Sequence, residues 1–384
     1  MHQVLTRRDL IRAAAAGVST LTVAQLPSWA FATGEAEEDG RPVPFVDEQP
    51  IDPKRPMLKW DDLRDWITPK EHFFDVSHYG TQHVPADSWR LSVEGLVERP
   101  ASFSLDQVKS RARQEVLATL ECSGNGAGAD FMGALGNARW AGARLADVLK
   151  ECGVNSDAIE VAFWGVDKKK ETIRGNEYEQ NFARALPLAE AMRHDVIMAY
   201  EMNGQPLSVA QGFPLRLIVP GWYGIAWVKW LSRIELRERR LMNRFMARDY
   251  VTVRGDRHGD TIRWTESSVG PLNVKSLVGR VTRFRDGTLR ITGAAWAQEP
   301  ISSVQLKIDN GPWVQTRPDE RRRAPHAWTF WSYDWKDPAP GEHALVSRAA
   351  DTKGHVQPSA EDDAIKLKKT YWEANQQYPR KVRI

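Results

Sequence analysis

The chain of 384 residues holds only two cysteines, and the first of them, Cys122, stands where a thiol can do chemistry. It follows the apolar run 116–120 and opens Ser123-Gly124-Asn125-Gly126-Ala127-Gly128, a turn whose glycines let the backbone approach a ligand closely. A thiolate there is a soft donor for a transition metal or a nucleophile, provided the local field lowers its pKa. A buried structural cysteine, or a disulfide with Cys152, would account for the same residue without chemistry. Cys152 ends a helical run before Gly153 and is most simply packing. With no Cys-x-x-Cys pair, a disulfide scaffold, a four-cysteine zinc site and covalent haem attachment are excluded. The turn also fits Gly-x-Gly-x-x-Ala at Gly124, Gly126 and Ala129. That signal is weak, because glycines break the segment 131–136 where a helix should begin and no strand ending in an acidic residue follows.

A wider pattern surrounds the thiol. Glu121-Cys122-Ser123-Gly124-Asn125, followed by Gly133-Ala134-Leu135-Gly136-Asn137-Ala138-Arg139-Trp140-Ala141-Gly142-Ala143-Arg144-Leu145, resembles the molybdenum-ligand loop of the sulfite oxidase family and the segment after it. Residues 199–207, 212–221 and 227–231 are similar to that family's central block, in order and spacing, and the likeness continues through Arg248-Asp249-Tyr250 into the C-terminal region. The resemblance implies that Cys122 binds molybdenum beside the dithiolene of one molybdopterin, and that the hydroxyl of Tyr250 points at the reactive group. It implies that His78, Asp167, Arg216, Trp227, Val228 and Lys229 hold the cofactor, with Gln211 standing where the family has a histidine. A forked guanidinium and an ammonium suit a pterin phosphate. The implied activity is oxidation of sulfite to sulfate by oxygen-atom transfer from Mo(VI)=O, with sulfite or a related small anion as the partner. Without a haem of its own, the chain would pass electrons to an external acceptor, a c-type cytochrome. Oxidation of another sulfur species, reduction of a sulfoxide-like substrate, or a non-catalytic binding module with a decayed site are the rival readings.

Departures from the pattern bear on the substrate. Sulfite oxidases of the vertebrate type bind their anion with arginines, and the positions that align here are Val76, Ala127 and Thr329. A dianion in a low-dielectric pocket needs compensating charge. Arg139, Arg248, His258 and the run Lys168-Lys169-Lys170 are candidate replacements, although the lysine run, like Arg321-Arg322-Arg323, reads as a solvated face. Tryptophan is abundant (16, against 12 Phe and 8 Tyr), and Trp222, Trp227 and Trp230 could wall the cofactor or simply pack the core.

These residues need elements to hold them. Strand-like runs at 89–96, 116–120, 158–164 and 215–219 alternate with helical ones at 145–151 and 188–193, which suggests an α+β catalytic domain. Beyond about residue 269 short alternating strands take over, with Asp309-Asn310-Gly311 as a hairpin turn, the pattern of a β-sandwich of about 100 residues. The expected organisation is a twin-arginine (Tat) signal over 1–32, an acidic and proline-rich leader over 33–58, a sulfite-oxidase-type molybdopterin-binding domain over 59–250 and an immunoglobulin-like sandwich over 251–384. In the family such a sandwich makes a homodimer. The signal rests on Thr6-Arg7-Arg8-Asp9-Leu10-Ile11, a short apolar run and the small-x-small site at Ala30-Phe31-Ala32, and it implies a periplasmic protein. The run is shorter than the roughly 18 apolar residues of a spanning helix, so no membrane anchor is expected after cleavage. From Gly34 to Asp52 seven acidic residues face one Arg, which reads as a solvated leader. A formal charge of +3 is too weak for a nucleic-acid partner.

Overall fold

A computed structural model describes residues 40–47, 57–127 and 132–384. The expected signal, most of the leader and Ala129 of the glycine pattern lie outside the described residues.

Two five-stranded sheets build the first core. In Arg113–Glu121 the alternating Val116, Ala118 and Leu120 are buried, and toward its end Thr119 and Glu121 are buried as well, so the strand leads into the interior on both faces. It edges an antiparallel path running Arg216–Ile218, Ile197–Met202, Leu135–Arg144, Arg113–Glu121. The second sheet orders Ala101–Phe103, Leu91–Gly95, Leu231–Arg237, Glu160–Ile173 and Asn176–Pro187; only the contact of Leu231–Arg237 with Leu91–Gly95 is parallel. Ser104 and Gln107 form a capping box on the helix Leu105–Lys109. Helix Leu145–Cys152 buries Leu145, Val148, Leu149 and Cys152, the i, i+3, i+4, i+7 stripe.

The α+β expectation gave helix too much weight. The run expected at 188–193 yields one turn, Leu188–Ala191, and the architecture is mostly β with short helices at strand ends. The physical reason is length: a four-residue segment barely closes one hydrogen-bonded turn, and the strands around it supply the pairing.

The C-terminal strands form two sheets over one apolar layer. One runs Arg41–Pro42, Lys275–Arg283, Leu289–Trp296, Thr329–Trp335, Arg317–Pro318; the other Val314–Gln315, Ile301–Ile308, Glu342–Asp351, Pro379–Arg383. Val278, Val281 and Ile291 of the first sheet meet Val304, Leu306, Leu345 and Val382 of the second in a core of their own, which makes a sandwich. The turn at Asp309–Gly311 joins paired strands as expected. Val251–His258 and Thr261–Ser268 pair as a ribbon outside both sandwich sheets, and Arg254 of the ribbon is bridged to Lys368.

The leader differs from its expectation where it is described. Arg41–Pro42 pairs with the sandwich edge, and Phe45, 5% exposed, enters its core beneath the Arg380 guanidinium. The buried ring is joined by backbone bonds from Val43 N to Val281 O and from Val46 N to Lys381 O and by an Asp47–Arg380 ion pair, which together hold the segment on the sandwich.

Candidate functional site

A half-open cleft of about 630 Å3, solvent at its mouth included, is lined from both sheets of the first core. Cys122, Tyr250, His78 and Asp167 face it, as do Gln211, Arg216, Trp227 and Lys229. Residues more than 170 positions apart in sequence are thus gathered at one place. Val228 is the exception among the expected residues. Its side chain is in the core, 1% exposed, while its carbonyl accepts from Leu217 N.

Cys122 follows the buried end of Arg113–Glu121, with its N–H donating to Ala134 O at 2.9 Å. Both cysteines are free, which removes the disulfide alternative. Burial pushes the Cys122 thiol up to about 11, so by itself it is no thiolate; a bound cation would have to draw off its proton. Among the described residues no group of three His, Cys, Asp or Glu could hold a metal ion, so a metal at Cys122 would take its other ligands from the cofactor.

In the same cleft as the thiol, Tyr250 Oη and His78 Nε2 lie 2.6 Å apart. His78 packs on Phe182 and edge-on to Phe245, and burial followed by the Arg244 charge pulls it down to about 4. The imidazole is therefore neutral at neutral pH and can share a proton with the phenol, which burial holds well above its ordinary range.

Asp167 reaches the cleft through an irregularity. Between Trp164 and Lys168 the register of Glu160–Ile173 against Asn176–Pro187 shifts, and such bulges re-aim side chains. Gly165 makes room: a Cβ there would stand 2.3 Å from Asp167 Oδ1. Burial raises the Asp167 carboxyl to about 6.

Two cations, Arg216 and Lys229, also line the cleft. Arg216 donates through Nη1 to Gln211 O and Oε1, at 3.1 and 2.9 Å, and lies over the Trp140 ring. Gln211 is fixed in turn by Nε2 donating to Phe74 O at 3.0 Å. Among the described residues no carboxylate lies within 4 Å of Arg216, and burial pulls its pKa down to about 9. Lys229 Nζ donates to Asp75 Oδ1 at 2.6 Å and Ala210 O at 2.9 Å, and burial lowers it too.

A pterin cofactor fits this donor set. Arg216 Nε, Asp167 Oδ1 and Ser123 Oγ are buried in the cleft without a partner, and such groups persist only where something else satisfies them. Arg216 and Lys229 would hold the anionic phosphate, Asp167 and Ser123 the polar ring edges, Trp227 and Trp230 the flat faces.

Sequence reasoning missed several wall residues. Ser123 lay inside the Cys122 motif without a role, Asp75 stood unremarked beside Val76, and Phe182 gave no signal because it enters from a strand far away in sequence. Trp230 does line the cleft; Trp222 does not, and instead donates to Glu190. Of the positions lacking arginine, only Val76 faces the cleft, and none of Arg139, Arg248, His258 or the lysine run does. Lys168, Lys169, Lys170 and Arg248 are exposed, and His258 sits at the ribbon tip.

The fold and site define a molybdopterin-binding oxidoreductase: residues 78–245 match the family described as oxidoreductase molybdopterin binding domain. The chain belongs, more narrowly, to the sulfite oxidase family. It is 33% identical over 323 residues to the mitochondrial sulfite oxidase of Homo sapiens, covering 76% of this chain and 57% of that protein. It is 30% identical over 330 residues to the sulfite oxidase of Arabidopsis thaliana, covering 76% of this chain and 82% of that one. The chain thus spans little more than half the length of the human relative. The crystal structure of the sulfane dehydrogenase SoxCD from Paracoccus pantotrophus superposes with a TM-score of 0.73 at 25% identity, over 96% of this chain and all of that one.

Proposed function

We propose that the chain is a periplasmic molybdenum oxidoreductase that oxidises a small sulfur compound, with sulfite first among the substrates, and passes electrons singly to an external c-type cytochrome. The observation that carries this is a free thiol, Cys122, in the same cleft as the Tyr250–His78 pair and two buried cations. Molybdenum held there would supply two-electron oxygen-atom exchange. The protein's part is to hold the thiolate, neutralise the pterin phosphate with Arg216 and Lys229, exclude water with Trp227 and Phe182, and keep a proton shared between Tyr250 and His78. The test is molybdenum content together with sulfite-dependent reduction of ferricyanide or cytochrome c. Cys122→Ser is expected to lose both, because a hydroxyl is a poor soft donor; full activity in that variant refutes the assignment.

One observation favours a second reading, in which the same centre takes another sulfur compound. Both cleft cations are engaged within the protein, and Val76, 40% exposed, stands at an aligned arginine position. An uncharged sulfur substrate needs no further cation. A kcat/KM for a neutral sulfoxide or a sulfane compound above that for sulfite decides for it. Homodimerisation through an immunoglobulin-like sandwich and Tat export belong to the same proposal. Sedimentation reads the first. For the second, Arg7→Lys/Arg8→Lys is expected to leave the protein in the cytoplasmic fraction.

A further inference from the structure

The residues flanking the thiol are gripped from outside their own sheet. Lys275 and Trp296 face each other across Lys275–Arg283 and Leu289–Trp296, strands of the C-terminal sandwich. Lys275 Nζ donates to Glu121 Oε1 at 2.9 Å and to Asn125 O at 2.8 Å. Trp296 Nε1 donates to the other carboxylate oxygen, Glu121 Oε2, at 2.7 Å. Asn125 closes the loop, giving Nδ2 to Glu121 Oε1 at 2.9 Å and accepting from Ala134 N at 3.0 Å, next to the bond from Cys122 N to Ala134 O. Both charged side chains are buried, 4% and 0% exposed.

We propose that Lys275 and Trp296 are positioning residues that clamp the Cys122 loop through Glu121 and Asn125, so that the sandwich sets the direction in which the thiol meets the metal. Removing two charges from water is costly, and apolar residues of equal volume commonly serve stability as well or better. What an apolar pair cannot supply is direction: three donors fix the carboxylate immediately before Cys122, and the same ammonium fixes the carbonyl three residues after it. A one-residue shift of either strand would turn that strand's own member of the pair, Lys275 or Trp296, to the other face. The inference rests on the reading of Cys122 as the metal ligand.

The experiment uses holoenzyme and reads bound molybdenum per chain, the thiolate-to-metal charge-transfer absorption band and the melting temperature. In Lys275→Met, and in Glu121→Gln/Lys275→Met where no lone charge stays buried, the band is expected to shift and the cofactor to wash out several-fold faster on dilution. The double variant should recover melting temperature over the single one without recovering the band. If Lys275→Met does not fold, Trp296→Phe, which deletes the 2.7 Å bond while keeping an aromatic ring beside Trp60 and leaving Lys275 paired with Glu121, is expected to shift the band in the same direction. A wild-type band and wild-type retention in the double variant or in Trp296→Phe overturn the proposal and assign the network to stability alone. Cys122→Ser, run alongside, separates the two layers: a band that survives there sinks the metal-ligand reading itself.

Discussion

The Asp167 carboxyl is held in the cleft with one oxygen unpaired, and burial raises it to about 6 from 3.8. A raised folded value means that its contribution to stability is complete below pH 3.8 and is lost as pH rises through about 6. In cofactor-free protein, Asp167→Asn should therefore be more stable than wild type at pH 8 by about 2 kcal/mol, with the gain gone below pH 4, as urea denaturation at both values would register. The shift of His78 has the opposite sign. Its proton is taken up by the unfolded chain first, so it removes stability as pH falls from 6.5 toward 4. Tyr250→Phe deletes the 2.6 Å partner of that imidazole while leaving the thiol untouched. Bound molybdenum should stay at the wild-type level, with turnover down by about 10²-fold, the usual weight of one proton-transfer group.

At the scale of elements, the site depends on where strands stop or go wrong. Cys122 follows the end of one strand, Arg216 begins another, and Asp167 stands at a register shift. Gly165→Ala would put a methyl 2.3 Å from Asp167 Oδ1 and 3.0 Å from Lys229 O, forcing the carboxylate out of the cleft. Overpacking of this kind costs about 1–3 kcal/mol. The variant should melt lower and retain less pterin, with the fluorescence of released pterin as the measure; unchanged retention would remove Asp167 from the cofactor's holders. None of this was legible in the run 158–164. Alternation announces a strand, whereas a bulge depends on the partner strand's register.

Across the whole molecule, the sandwich and the first core are joined by buried polar groups as well as apolar ones, through Glu121 with Lys275 and Trp296. The segment Gly40–Asp47 is held on the sandwich edge by strand pairing and an Asp47–Arg380 ion pair, with Phe45 as its buried apolar group. Phe45→Ala should lower stability by about 3 kcal/mol and expose the segment to protease, measured by urea denaturation and timed digestion. A segment that was only a solvated leader would show neither effect.

Local chemistry sufficed for much of this protein. The thiol at a glycine-rich turn, the aligned blocks from Gly133 to Tyr250 and the alternating strands after residue 269 were readable because each is a short-range pattern of residue types. The fold class was read less well, since brief helical runs compete with strand pairing that a linear pattern does not display. Tertiary structure alone decided that Val228 turns inward, that Phe182 and Asp75 wall the cleft, and that Lys275 meets Glu121 across 154 positions. Those outcomes turn on which face of a strand is covered and by what, a property of pairing register and packing between segments distant in the chain.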